Sequence, residues 1–311
     1  MQELVNAISE CFEIRPLNSR VLNGRMFSTY IYIEDESRKE WFIKSYPTNY
    51  DLKYLLLQKS IHDALNNKNF PVPMMKSAAD GAAGIEYRGR IYSCFQYISY
   101  DQEADSKNYQ NEVGRKLGSM HQILKNESIK GDIWGRSIYD FYEISSGINK
   151  LICELIKNDK LKGYASYIYE ALNNLQYVYQ LLKPQHMIHG DFNPQNVLIK
   201  NGQVIAFIDF TDSTYSNSLE DLAEAILNFT GLNNGEIDIM NKDCIDKFLC
   251  AYQSVNPIDI DFDFFIMVLR AVCMRTLSKF GENFRLLSRM PNVMHYIKHL
   301  IIVIYDSYNM K

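Results

Sequence analysis

Ile188-His189-Gly190-Asp191-Phe192-Asn193-Pro194-Gln195-Asn196 leads into Val197-Leu198-Ile199-Lys200, then Asn201-Gly202, then Gln203 to Ile208 and Asp209-Phe210, and on this stretch the fold of the chain turns. Two apolar, β-branched runs flank Asn201-Gly202, a pair that favours the positive φ angles of a type I′ hairpin. With a two-residue turn in register, Asn196 faces Phe207, and Asp209, two residues further along, is a diagonal neighbour on the same face. Asn196 and Asp209 are therefore expected to point into one small space.

A carboxylate and an amide oxygen converging without Cys or His suit a hard cation such as Mg²⁺, which keeps several waters and takes further ligands from phosphate. Asp191 lies on the loop entering the hairpin, where an ionised carboxylate can accept the proton of an attacking hydroxyl. Taken singly, each residue fits ordinary turn chemistry: Asp near a turn caps backbone N–H groups, and Asn is common before a strand. As an ordered set, H-G-D-x-x-x-x-N, the hairpin and I-D-F have the spacing of the kinase catalytic loop H-R-D-x-x-x-x-N and its metal-binding Asp. The layout points to phosphoryl transfer.

Around this motif the chain changes character. Its first hundred residues alternate strand-like runs with turns: Thr29 to Ile33 and Glu40 to Tyr46 around Asp35-Glu36-Ser37-Arg38, then Ile85 to Tyr87 and Ile91 to Ile98 around Arg88-Gly89-Arg90. Leu52 to Leu65 has helical spacing and stops before Pro71-Val72-Pro73. Beyond Ser99 to Lys107 the period becomes helical, with Val113, Leu117, Met120 and Leu124 on one face and Ile168, Leu172, Leu175, Tyr179 and Leu182 on another. Residues 1–98 are expected to form a small β-rich lobe, and residues 99–311 a larger, mainly helical lobe that carries the His189 to Asp209 stretch.

His189 to Phe210 closely resembles the aminoglycoside phosphotransferase and choline kinase-like superfamily, whose small-molecule kinases carry His-Gly-Asp where protein kinases have His-Arg-Asp. The resemblance implies an α+β, two-lobed protein-kinase-like fold, with a small β-rich N-lobe (1–98) that binds nucleotide and a larger, mainly helical C-lobe (99–311) that carries the catalytic loop and the acceptor site. It implies Asp191 as catalytic base, Asn196 and Asp209 as metal ligands, and His189 as a structural histidine that holds the loop. More weakly it extends to Phe42-Ile43-Lys44, Gln96-Tyr97-Ile98, Gly114 to His121 and the turn at Asn23-Gly24-Arg25. Lys44 matches the strand lysine that holds the nucleotide α- and β-phosphates; without the resemblance it reads as an outward-facing strand lysine. Gln96, Tyr97 and Ile98 match the hinge whose backbone reads the adenine edge, and Gly24 the turn over the phosphates. The implied cofactors are Mg²⁺ and ATP, or GTP, as phosphate donor.

The implied acceptor is a small hydroxylated molecule: an aminoglycoside or other antibiotic, or a choline-like, homoserine-like or sugar compound. Asp259, Asp261 and Asp263 offer charge for a cationic acceptor, or simply complement the dipole of the helix that follows. Tyr252 and Tyr296 have rings able to stack on a sugar or drug, but aromatic residues at helical spacing more often build the interlobe core, and neither is named as a substrate contact. Neither Ala-Pro-Glu nor a long activation segment follows Asp209, which argues against a protein substrate.

Ser218 reads as the N-cap of a helix in which Asp221 is a structural element, and Asp212 either assists metal or substrate or closes a turn. One departure is clear. Many relatives carry a helix glutamate that pairs with the strand lysine, and the distance to Pro71-Val72-Pro73 puts Gln58 there. Gln58 can reach Lys44 only through its amide oxygen, a weaker link than a charge-assisted bond, with Asp63 as an alternative acidic partner. A catalytically weak kinase-fold binding or structural protein is the competing reading, and intact Asp191, Asn196 and Asp209 argue against it.

At 311 residues with a formal charge of −4 and no cluster of Lys and Arg, the chain has no electrostatic footprint for nucleic acid or an anionic membrane. Its N-terminus, with Glu3 and Glu10, does not read as a signal peptide, and no apolar run approaches the ~20 residues that span a bilayer. Cys11, Cys94, Cys153, Cys244, Cys250 and Cys273 lie far apart without zinc spacing, and are expected to be free buried thiols of a cytoplasmic protein.

Overall fold

A computed structural model describes residues 2–22, 28–104, 109–157, 162–230, 242–282, 284 and 291–308. In chain order the elements are α1 (Gln2–Cys11), β1 (Pro16–Leu22), β2 (Tyr30–Asp35), β3 (Glu40–Ser45), α2 (Lys53–Asn67), β4 (Met75–Lys76), β5 (Ile85–Tyr87), β6 (Arg90–Gln96) and β7 (Gln102–Glu103). There follow α3 (Gln110–Asn126), α4 (Phe141–Leu155), α5 (Ala165–Leu181), β8 (His186–Ile188), β9 (Val197–Lys200), β10 (Gln203–Phe207) and β11 (Thr214–Ser216). The last elements are α6 (Ser218–Thr230), α7 (Lys242–Gln253), α8 (Phe262–Glu282) and α9 (Pro291–Ser307). Two compact units emerge: Met1–Ala104 with Gln122–Trp134 and Gln195–Ser213, and Asp105–His121 with Gly135–Pro194 and Thr214–Lys311.

In the first unit β1, β2, β3, β6 and β4 lie side by side in that order, all antiparallel, with β5 also paired to β6. The period of two divides each strand between faces. Ile31, Ile33, Trp41 and Ile43 are buried in one cluster with Val5 and Ile8 of α1 and with Phe12, the residue just past its end. The alternate residues Tyr30, Phe42 and Lys44 fall on the opposite face, with Lys44 directly across from Tyr30. The β5–β6 turn forms with Arg88 and Gly89 both at positive φ. Helix α2 ends where the N–H of Phe70 donates to Leu65 and Asn69 adopts a φ of 55°, a left-handed stop just before Pro71.

The β9–β10 hairpin corrects one expectation. Its turn is as read, with Asn201 at φ 51° and Gly202 at φ 72°. Val204 pairs with Ile199, but Ala206 pairs with Leu198 and Phe207 with Val197, so Ile205 is an extra residue in a bulge. Asn196 therefore meets Ile208 rather than Phe207, and the N–H of Ile208 donates to the Asn196 carbonyl at 2.9 Å. Val204 to Ile208 are apolar at every position, so no alternation marks where the extra residue falls.

In the second unit α4 and α8 pack closely where Gly147 meets Ser278 and Gly281, with no room for a side chain on either glycine. β8 and β11 form a short antiparallel ribbon, Ile188 opposite Thr214 and His186 opposite Ser216. The cap of α6 is Asn217, whose Oδ1 accepts the N–H of Leu219 at 3.0 Å. Ser218, expected as the cap, is the first helical residue, and its hydroxyl meets His186 Nε2 at 2.7 Å. Asp261 caps α8, its Oδ1 accepting the N–H of Phe264 at 2.8 Å, so that acidic residue serves the helix. All six cysteines are free, but only Cys94 and Cys273 are buried; Cys11, Cys153 and Cys250 are exposed at helix positions facing away from the core. Among the described residues no helix is long and apolar enough to cross a membrane.

Candidate active site

The first unit holds a cavity of about 340 Å³. Leu22, Tyr30, Phe42 and Phe95 give it apolar walls, and the Tyr30 and Phe42 rings lie 5.1 Å apart. Gln96, Tyr97 and Ile98 line it, as do Lys44, Asn196 and Asp209. The N–H of Gln96 donates to Met74 and that of Tyr97 to Glu40. The N–H of Ile98 has no partner among the described residues and remains available to a ligand acceptor. Gly24 lies outside the described residues.

Lys44 is 8 % exposed, and its Nζ donates to Asp209 Oδ1 at 2.6 Å and to Thr211 Oγ1 at 2.7 Å. The Thr211 hydroxyl donates in turn to Asp209 Oδ1 at 2.7 Å. Burial alone would lower the Lys44 pKa, but the Asp209 carboxylate against it raises the value above that of an ordinary lysine, so the ammonium stays charged. Its Nζ also lies 5.1 Å from the Tyr46 ring centroid. Asp209 has left-handed backbone angles, φ 67° and ψ 62°, which Asp tolerates better than most residues.

Gln58 lines the same cavity but does not hold Lys44. Its Oε1 accepts the Tyr46 hydroxyl at 3.1 Å, and its Nε2 donates to the Tyr50 hydroxyl at 2.6 Å, beneath two tyrosine rings stacked 4.3 Å apart. That arrangement uses one acceptor and one donor, both of which an amide has, whereas an ionised carboxylate has acceptors only. Asp63, the other expected partner, pairs with Lys59 one turn away. The acid that meets Lys44 is Asp209.

Among the described residues no group of three or more His, Cys, Asp or Glu forms a metal cage. Asn196, buried at 2 % exposure, and Asp209 bring hard oxygen donors to one cavity. Two such ligands are too few to strip a divalent cation of water, and they fit one that arrives bound to phosphate.

In the second unit β8 delivers the chain through Gly190, at φ 78°, to Asp191, which is half-buried. The loop is held from α6. Asp221, fully buried, accepts the N–H of His189 at 2.6 Å and of Gly190 at 2.8 Å, and meets His121 Nε2 at 3.0 Å. His121 Nδ1 lies 2.7 Å from the Tyr252 hydroxyl, which explains the burial of that tyrosine. Burial would raise the Asp221 pKa, yet its hydrogen bond with His121 and the charges and backbone groups around it leave the carboxyl below its ordinary value. Glu224 accepts the N–H of Phe192 at 3.1 Å and an Arg275 N–H at 2.6 Å, while Arg275 also donates to Glu220 at 2.7 Å. Burial pushes the Glu224 carboxyl up against the pull of that guanidinium. His189, also buried, accepts the N–H of Asp191 on Nδ1 at 3.3 Å. Backbone groups on both sides of Asp191 are thus tied to buried carboxylates.

Sequence reasoning had no view of Thr211, Tyr46 or Arg275. Thr211 stands two residues after Asp209, the one available hint; Arg275 sits in Met274-Arg275-Thr276, with nothing to mark it as buried.

A family model described as "Phosphotransferase enzyme family" matches residues 19–238. A homoserine kinase of Neisseria meningitidis serogroup B (strain ATCC BAA-335 / MC58) is 32% identical over 93 residues, a match spanning 30% of this chain and 30% of that protein. Among solved structures, amicoumacin kinase with AMP-PNP, Ca²⁺ and Ami aligns at a TM-score of 0.72 and 16% identity, over 98% of this chain and 93% of that one. Spectinomycin phosphotransferase with ADP and spectinomycin aligns at 0.65 and 16% identity, over 99% and 98%. A microcompartment-associated aminopropanol kinase aligns at 0.66 and 14% identity, over 94% and 92%. At these identities the likeness establishes the fold, the kinase-like architecture with a β-sheet part and a helical part.

Proposed function

We propose that this chain, which belongs to the phosphotransferase enzyme family, transfers the γ-phosphate of a Mg²⁺-bound nucleotide to a hydroxyl of a small molecule. The observation that carries the proposal is one cavity lined by Lys44, Asn196 and Asp209 together with apolar walls and by Ile98, whose N–H has no partner among the described residues. The walls suit a purine, with the backbone of Gln96, Tyr97 and Ile98 at its edge. Mg²⁺, held by Asn196 and Asp209, would supply charge neutralisation at the phosphate oxygens. Lys44 donates to the phosphates. Asp191 takes the acceptor's hydroxyl proton as the new O–P bond forms and the bond between the γ-phosphorus and the leaving diphosphate breaks. The carboxylates of α6 hold the Asp191 loop in place during this step.

The acceptor is a small molecule, an antibiotic or a choline-like, homoserine-like or sugar compound; the names of the similar proteins, which include homoserine, amicoumacin, spectinomycin and aminopropanol, support a small acceptor. ATP or GTP serves as donor, and a nucleotide-consuming reaction suits the cytoplasm. The weak-kinase alternative rested on Gln58, and that residue is occupied with Tyr46 and Tyr50 while Lys44 has Asp209.

Calorimetric titration with Mg-ATP and Mg-GTP tests the reading. Lys44→Met and Asp209→Asn should each weaken binding at least about tenfold, because each removes a charged partner of phosphate or metal. Native protein that binds neither nucleotide refutes it.

A further inference from the structure

We propose that Thr211 is a positioning residue for nucleotide binding, its hydroxyl joining Lys44 to Asp209 and fixing how the phosphate-binding cation stands beside the metal-binding carboxylate. The inference rests on the phosphotransferase reading of those two residues. Its ground is a closed triangle: Lys44 Nζ to Asp209 Oδ1 at 2.6 Å, Lys44 Nζ to Thr211 Oγ1 at 2.7 Å, and Thr211 Oγ1 to Asp209 Oδ1 at 2.7 Å.

The directions of these bonds follow from chemistry. An ammonium has donors only, so Thr211 Oγ1 accepts from Lys44, and its single proton goes to Asp209. A hydroxyl is the smallest group that can do both. The backbone beneath it is fixed as well: Asp209 opens the short turn Phe210–Asp212, and Phe210 is fully buried with its ring 5.1 Å from that of His62. As a β-branched residue, Thr211 has few χ1 choices on that turn, so the hydroxyl is held before any ligand arrives.

The helix that would otherwise orient the lysine takes no part, since Gln58 is committed to Tyr46 and Tyr50. Lys44 is oriented by Asp209, Thr211 and the face of Tyr46. Without the hydroxyl, the ammonium and carboxylate form a plain ion pair, and the lysine competes more directly with a metal for Asp209. With it, Lys44 divides its donors between two oxygens, and Asp209 keeps a fixed orientation.

The test compares native protein with Thr211→Val, which removes the hydroxyl at nearly constant shape, and Thr211→Ser, which restores it. Calorimetry measures nucleotide affinity with Mg²⁺ and again in EDTA, with thermal melts of the same samples. Thr211→Val should bind Mg-nucleotide about tenfold more weakly and lose most of the gain in affinity that Mg²⁺ confers, with Thr211→Ser within about threefold of native. A merely structural role would move the melt and leave the Mg²⁺ gain intact. Binding by Thr211→Val within about twofold of native, or Thr211→Ser as weak as Thr211→Val, overturns the proposal. If Thr211→Val does not fold, Thr211→Ala carries the same comparison. Native protein that binds no Mg-nucleotide removes the underlying reading and this proposal with it; native binding with indifferent Thr211 variants removes this proposal alone.

Discussion

Replacing Asp221 by alanine should destabilise the helical unit and loosen the loop that carries Asp191. Its carboxylate is fully buried and accepts two backbone N–H groups, at 2.6 and 2.8 Å, and meets His121 at 3.0 Å. Each buried donor left without an acceptor costs about 1–3 kcal/mol, so three stranded donors come to about 4 kcal/mol after partial relaxation. Asp221→Asn keeps one acceptor oxygen but turns an NH₂ toward another donor, and about half that loss is expected. The charge adds a pH signature. The folded-state pKa of Asp221 lies below its unfolded value, so the stabilisation is fully present above the unfolded pKa of about 4 and is lost as pH falls through the lower folded value. Asp221→Asn should lack that part of the acid limb. Urea denaturation followed by far-ultraviolet circular dichroism, which reports the helices, gives both numbers. An alanine variant within about 1 kcal/mol of native would refute the reasoning, since even one stranded donor exceeds that on average.

Gly147→Ala should destabilise by about 2–3 kcal/mol, because its methyl group would run into the carbonyl and Cβ of Ser278 at the α4–α8 crossing. An unchanged melting temperature would show that the helices separate at little cost. His299 is 3 % exposed with an unpartnered Nε2, and burial lowers its pKa from 6.5 to about 4. The unfolded state binds the proton first, so stability is whole above pH 6.5 and falls as pH drops toward 4, by about 2 kcal/mol at pH 5. His299→Phe should flatten this slope in denaturation series at several pH values.

The parts of the site legible in the sequence are those written in contiguous residues. His189 to Phe210 carries its own spacing, and Asn201-Gly202 announces its turn through backbone angles that few other pairs adopt. The bulge at Ile205 left no trace, because a strand apolar at every position reads the same in either register. Partners distant in sequence were equally hidden. Lys44 lies 165 residues from Asp209, and what would face it depended on Gln58 finding two tyrosines, which no local pattern encodes. Arg275 looks like a surface arginine in sequence and is 1 % exposed, held by Glu220 and Glu224. Ser218 had the right chemistry for a cap, but Asn217 stood one residue earlier with the same ability.

Transfer itself is the most direct measurement. Purified protein, Mg-ATP or Mg-GTP, and pooled aminoglycosides, other antibiotics, choline, homoserine and sugars would be followed by mass for products heavier by one phosphate, with Asp191→Ala in parallel. The native chain should phosphorylate at least one pool, and the variant should lose that product while still binding Mg-nucleotide. Equal product from Asp191→Ala would contradict its role as the base, and nucleotide binding absent from both proteins would contradict the phosphotransferase reading itself.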